Sequence, residues 1–245
     1  MKNYSTNAQL KAIAREQLHG KYLTMASTYI VLLLLQNFIV PPSALLTMLQ
    51  PWGSIIYYMI NFMITLFFAI FQVGLSFLFL SNACGQHVQT SHLYAGFTLN
   101  PLKAISIWVI PALLMVVPSV LPDLLLSWIL EQKGEILLRY LALWICAVLP
   151  VASLIVLLIR IPYSMSFFIM LDFPELEAAE CRRMSIKLMK GNKWRYFKLI
   201  ISFLPLQLLG LLSMGIGMLY VKPYRSQACA NFYLDLMQAQ NQNEM

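Results

Sequence analysis

Long apolar runs alternate with short polar joints along this chain. The runs are Tyr22 to Val40, Ile55 to Leu80, Ala104 to Leu121, Leu137 to Ile159 and Trp194 to Met214. About 20 apolar residues, rising 1.5 Å each, cover the roughly 30 Å of a bilayer's hydrocarbon core, so each run predicts a membrane-crossing helix. A further run, Ile216 to Leu236, follows Gly215-Ile216-Gly217 and is interrupted by Lys222, Pro223 and Arg225. The glycines allow a tight reversal, and cations near the end of a span can snorkel to the interface, so this run is predicted as a sixth crossing. The expected fold class is all-α, a polytopic membrane helix bundle of about six transmembrane helices with amphipathic cytoplasmic helices. Its spans are expected at about 22–40, 55–80, 104–121, 137–159, 194–214 and 216–236. They make a membrane domain over 22–237, between a cytoplasmic amphipathic segment at 1–21 and a polar cytoplasmic tail at 238–245.

Two joints carry helical periodicity. In Asn7 to His19, Leu10, Ile13, Ala14 and Leu18 recur at helical spacing, Lys11 and Arg15 fall on another face, and Gly20 suits a left-handed helix stop. This predicts an interfacial helix leading into the first span. The second helix is expected over 173–190. Asp172 with Glu175 reads as a capping box, Pro174 is tolerated in a first turn, and acidic residues lead while basic ones trail, which complements the helix dipole. Ala178, Cys181, Met184, Ser185 and Leu188 share its apolar face, expected to lie in the inner leaflet boundary; Gly191-Asn192 ends it. A faint internal echo links Ser91 to Phe97 before Lys103 with Ser185 to Asn192 before Lys193, each reading as helix, glycine stop and cationic anchor.

Composition changes the solvent in the argument. The chain is 60% hydrophobic and 11% charged, with mean hydropathy +0.70. About a quarter of the residues of a water-soluble domain are charged, so a bilayer must cover this one. The net charge of +7 does not point to nucleic acid, because the basic residues flank apolar spans and aromatic belts. Lys2, Lys11, Arg15 and Lys21, then Lys103, then Arg160, Arg182, Arg183, Lys187, Lys190, Lys193, Arg195 and Lys198 fall in alternate joints, while Lys133, Arg139, Lys222 and Arg225 fall on the other side. The positive-inside rule then places both termini in the cytoplasm. Trp52, Tyr57, Tyr58 and Trp128 fit an outer aromatic belt. Arg182, Arg183, Lys187, Lys190, Lys193, Arg195 and Lys198 become candidate contacts for anionic lipid headgroups. The first run lacks a small-residue cleavage site before Pro41-Pro42 and is expected to be a retained anchor.

Reactive groupings are sparse. Cys84, Cys146, Cys181 and Cys229 show no CxxC spacing and read as small apolar packers. His87 and His92, five apart, do not share a helix face as a zinc pair would. Capping and dipole complementarity already explain Asp172, Glu175, Glu177 and Glu180. No catalytic, cofactor or metal residues are expected. Ionisable groups at membrane depth are costly and often line a pathway, which makes Lys222 and Arg225 the candidate intramembrane functional charges, with Arg139 and Arg160 near span ends. Gly74 with Ser76, and Gly210 with Gly215 and Gly217, offer close helix packing.

The run Ser185 to Trp194, containing Leu-Met-Lys-Gly-Asn-Lys-Trp, together with Gly215-Ile-Gly217, Pro223-Tyr224 and Asn231 to Leu236, resembles the C-terminal half of an uncharacterised family of bacterial multi-pass membrane proteins common in Gram-positive organisms. Leu10 to Tyr22 is similar to that family's amino-terminal part. The resemblance implies a six-span domain without an agreed activity. The chain departs from it in the nearly uncharged joint Ser81 to Pro101. The function expected is that of a non-enzymatic integral protein of the bacterial cytoplasmic membrane, a scaffold, accessory or regulatory subunit, with anionic lipid and another membrane protein as partners. The alternative is a small transporter or permease component, with Lys222 and Arg225 lining an anion-attracting cavity; a membrane-embedded enzyme comes third.

Overall fold

The computed structural model describes residues 4–39, 52–130 and 135–244, and every regular element among them is helical. Thr6 caps α1 (Asn7–Leu18): its side chain accepts from the Gln9 backbone while the Gln9 side chain accepts from the Thr6 backbone. Gly20, at φ 76, then turns the chain through 94° into α2 (Tyr22–Ile39). The apolar face of α1 divides, with Ile13 exposed and the other three residues turned inward. Leu10, Ala14 and Leu18 are buried in the main core against the C-terminal helix. The Pro41-Pro42 break and Glu131 with Lys133 lie outside the described residues.

Helix α3 (Gly53–Ala83) extends the expected second span at both ends. The chain then folds back along it. A 3₁₀ turn, Thr90–Tyr94, and α4 (Ala95–Leu99) pack on α3, with Phe97 against Phe67 and Phe71. Two glycines permit this approach: a Cβ on Gly74 would stand 1.9 Å from the Leu93 carbonyl oxygen, and one on Gly96 2.0 Å from that of Ile70. The echo with residues 185–193 therefore fails, because Gly96 lies inside a helix where backbones cross, whereas Gly191 is a left-handed stop at φ 86.

Helix α5 (Pro101–Leu130) absorbs Pro111, Pro118 and Pro122 and runs nine residues beyond the expected end of the third span at 121. The fourth apolar run is α6 (Glu135–Leu143), a π segment (Trp144–Val148) and α7 (Leu149–Arg160). Pro150 has no N–H for the carbonyl four residues back, and the wider π turn sits at that gap. The Trp144 indole donates to the Pro122 carbonyl at 2.9 Å, tying this stretch to α5.

The helix expected over 173–190 is present but starts at Ala178, after a break that follows a separate short helix. α8 (Ser166–Asp172) ends where Pro174 pushes Phe173 out of helical geometry, to φ −126 and ψ 76. The capping box then forms at Glu177 with Glu180 instead of Asp172 with Glu175, opening α9 (Ala178–Met189). Its Cys181, Ser185 and Leu188 face is buried against α8, α5 and the 3₁₀ turn at Ile161–Tyr163, not presented to a membrane surface. The fifth run breaks at Ser202-Phe203 into α10 (Lys193–Ile201) and α11 (Leu204–Leu212). The predicted reversal is present at residues 213–217, with Met214 at φ 55 and Gly215 at φ 86. It leads into α12 (Met218–Glu244), whose helix includes most of the expected polar tail.

Four described stretches are long and apolar enough to cross a membrane: Ile55–Ala83, Pro101–Leu130, Ile136–Asp172 and Lys193–Leu212; the bent pair of α1 with α2 makes a fifth. α12, where the sixth crossing was expected, is long but not apolar enough to join them. Its polar residues instead face protein, with Gln227, Asn231 and Asp235 buried among α1, α2, α3 and α11. The molecule is thus uneven. Around α12 the core is dense, whereas α5 beyond Ala112, α6, the π segment and α7 present Leu113, Leu124, Leu138, Ile145, Leu154 and Leu158 outward. Exposed apolar surface on this scale marks contact with lipid or with another protein.

Candidate functional site

Three polar constellations converge on α12. At its C-terminal end, the Arg195 guanidinium donates to Asp235 and to the Ser5 carbonyl, both at 2.6 Å, while the Ser5 N–H donates to the other Asp235 oxygen at 2.9 Å. Arg195 also lies 4.7 Å from the ring centres of Tyr4 and Phe232. Its side chain is 18% exposed and that of Asp235 9%, so this expected lipid contact is instead an internal strut joining α10, α12 and the amino terminus. Arg182 is engaged too, donating to the Ser106 carbonyl of α5.

About two turns earlier on α12, the buried Gln227 anchors an amide network. Asn82 donates to Gln227 Oε1 at 2.9 Å, Gln227 donates to Gln17 at 2.9 Å, and Lys21 donates to Asn82 at 2.8 Å. Burying an amide is costly unless its partners are found. Each member finds them here, and α1, α3 and α12 are held in register. A lone Gln or Asn in a helical pattern carries no sign of its partner, and sequence periodicity does not reveal this network.

A cleft of about 770 Å³ opens between α9, Tyr4 and the end of α12, with Arg183, Lys187 and Lys190 on one wall and Glu180, Asn192 and Gln240 among its other lining groups. All three cations are exposed, as are Lys193 and Lys198; Lys198 lies 5.5 Å from the Trp194 ring centre. Of the seven candidate headgroup contacts, five thus remain on the surface.

The two candidate intramembrane charges separate. Lys222 is exposed and Arg225 half-buried on α12, while Arg160 of α7 is exposed. Arg160 also lies 5.4 Å from the Trp108 ring centre. Along the same helix, the Tyr29 and Ser226 hydroxyls share a 2.6 Å hydrogen bond, and the Tyr196 hydroxyl donates to Cys229 at 3.6 Å. Arg139 is exposed on α6. Among the described residues no group of three or more His, Cys, Asp or Glu side chains could hold a metal.

The cysteines divide by access. Cys84 and Cys146 are exposed and Cys181 is buried, where burial pushes its thiol up from the ordinary range. In native protein an aqueous maleimide should modify Cys84, in the turn after α3, well before Cys181, which should react only after denaturation; mass mapping of labelled peptides checks the order.

Among the described residues every regular element is helical, and four stretches, or five if the bent pair counts as one, are long and apolar enough to cross a membrane, as in a membrane protein. The chain belongs to the family described as "Protein of unknown function (DUF975)", whose model matches residues 1–240. Among curated proteins and among solved structures, nothing matches.

Proposed function

We propose that this chain is a multi-pass integral protein of the bacterial cytoplasmic membrane, acting without catalysis as a scaffold, accessory or regulatory subunit. The observation that carries the reading is the division of the fold. A dense part built from α1, α9, α10 and the end of α12 bears the basic cleft, and apolar helices project away from it with their side chains outward. Basic residues belong on the cytoplasmic side, so the cleft with Arg183, Lys187 and Lys190 faces inward at the level of anionic headgroups. In this reading α12 is the sixth crossing. Its polar groups are tolerated because other helices satisfy them, and both termini are cytoplasmic.

Accessibility tests the topology. Membrane-impermeant maleimide should reach Cys84 in inverted vesicles and not in intact cells, and a carboxyl-terminal reporter should also be cytoplasmic. An external carboxyl terminus would leave α12 outside the set of crossings.

Each basic residue near an anionic surface is worth about 1 kcal/mol. Replacing Arg183, Lys187 and Lys190 together by Gln in the full chain should reduce the phosphatidylglycerol retained through mild-detergent purification and flatten its salt dependence. Unchanged retention would remove the lipid contact. A second reading, a small transporter or permease component, draws on the half-buried Arg225 of α12.

A further inference from the structure

We propose that a cavity between α3, α5 and α8 binds a zwitterion, with Lys103 holding its oxyanion and Asp172 its ammonium. The cavity measures about 390 Å³ and is lined by the end of α3, the start of α5 and the end of α8. That is the size of a small-molecule site. Lys103 and Asp172 both line it, yet they form no ion pair with each other, the described ion pair being Arg195 with Asp235. Each is instead fixed by a neutral partner. Lys103 donates to the Pro174 carbonyl at 2.8 Å, and Asp172 accepts from the hydroxyl of the buried Tyr233 at 2.6 Å. A single such bond leaves an ammonium with donors to spare and a carboxylate with most of its acceptor capacity.

The lining selects the ligand. A simple anion is drawn to Lys103 and repelled by Asp172, and a simple cation the reverse, whereas a molecule with both charges on a short linker is attracted by both. Its ammonium must carry N–H groups, because a carboxylate bonds most strongly to a charged donor. Phe77, Leu80, Met170 and Leu171 give the cavity an apolar part, so the ligand also carries hydrocarbon. Ser81, Gln86 and Asn100 add neutral polar groups. Cys84, Gln86 and Asn100 are exposed, which opens the cavity to solvent. A free amino acid with an apolar side chain and the phosphoethanolamine headgroup of a lipid share this chemistry. The site stands on the packing of α3 with α5 and α8, and not on the number of membrane crossings.

Cys84 supplies the readout. It lines the cavity and is exposed, so an occupant should slow its modification by maleimide. The test uses the full chain in phosphatidylcholine nanodiscs, whose trimethylammonium headgroup has no N–H to donate. The probes are L-leucine added to the buffer and phosphatidylethanolamine added to the disc, and at least one should protect Cys84. Protection by leucine assigns a free amino acid; protection by phosphatidylethanolamine alone assigns the headgroup. Isocaproate and isoamylamine, which are leucine without its ammonium and without its carboxylate, should not protect, and neither should phosphatidylglycerol. Losing one charge-assisted contact should weaken the apparent affinity about tenfold or more in Lys103→Gln or Asp172→Asn. Arg183→Gln, in the basic cleft and outside this cavity, should leave it unchanged, so loss of the lipid contact there does not bear on this site. The buried Cys181 reports folding; should Asp172→Asn expose it, Lys103→Gln and the probes lacking one charge still decide. The proposal is overturned if neither leucine nor phosphatidylethanolamine protects Cys84, if the probes lacking one charge protect equally, if Lys103→Gln leaves the protection intact, or if Arg183→Gln weakens it as much.

Discussion

Asp235→Ala is expected to cost about 3–5 kcal/mol of folding stability, the penalty for leaving one member of a buried ion pair without its partner. The Asp235 carboxylate accepts from Arg195 at 2.6 Å and from the Ser5 N–H at 2.9 Å, so its loss strands a largely buried guanidinium and frees the amino terminus. Two controls separate the causes. Asp235→Asn keeps an acceptor for Ser5 and should lose less than the alanine. Arg195→Met with Asp235→Leu removes both charges and should recover most of the loss, because the desolvation cost disappears with the attraction. Unfolding in detergent micelles measures all three. Proteolysis near residue 5 should become faster in Asp235→Ala and in the double variant, which both remove the acceptor of the Ser5 N–H, and not in Asp235→Asn. If Asp235→Ala unfolds like wild type, the pair does not hold α10 to α12.

Gly74→Ala is expected to cost about 3 kcal/mol, at the upper end of the overpacking range. The added Cβ would stand 1.9 Å from the Leu93 carbonyl oxygen. Its neighbour is backbone, so no rotamer change relieves the clash, and the returning segment must move off α3. Gly96→Ala meets the Ile70 carbonyl oxygen at 2.0 Å and should behave alike. Gly85→Ala gives the contrast: no atom lies within 4 Å, but φ is +75. Only the left-handed backbone penalty, about 1–2 kcal/mol, applies there. Thermal melts of the three variants should therefore rank Gly85→Ala as mildest. A Gly74→Ala protein as stable as wild type would show that residues 90–99 do not lie against α3 as described.

The sequence by itself determined that the chain is helical, where most helices lie, and where the chain must turn. Hydropathy over some twenty residues and the freedom of Gly20, Gly191 and Gly215 are local properties, and the structure places α1, α2 and the 213–217 reversal where they direct. Tertiary structure decided what covers each face. The stripe of Leu10, Ala14 and Leu18 reads alike whether lipid or protein lies against it, and α12 provided the protein. Local acidity at Asp172 and Glu175 suggested one cap; the end of α8, with Asp172 accepting from Tyr233 at 2.6 Å, moved it to Glu177. In the joint at 81–101 Gly96 read as a helix stop, whereas Gly74 and Gly96, 22 residues apart, let this segment return along α3. Asn82 and Gln227 stand 145 positions apart, and Arg195 and Asp235 40 apart. No period of 3.6 residues encodes such meetings. They arise when helices pack, because a buried charge or amide must find its partner across the core and not along its own helix.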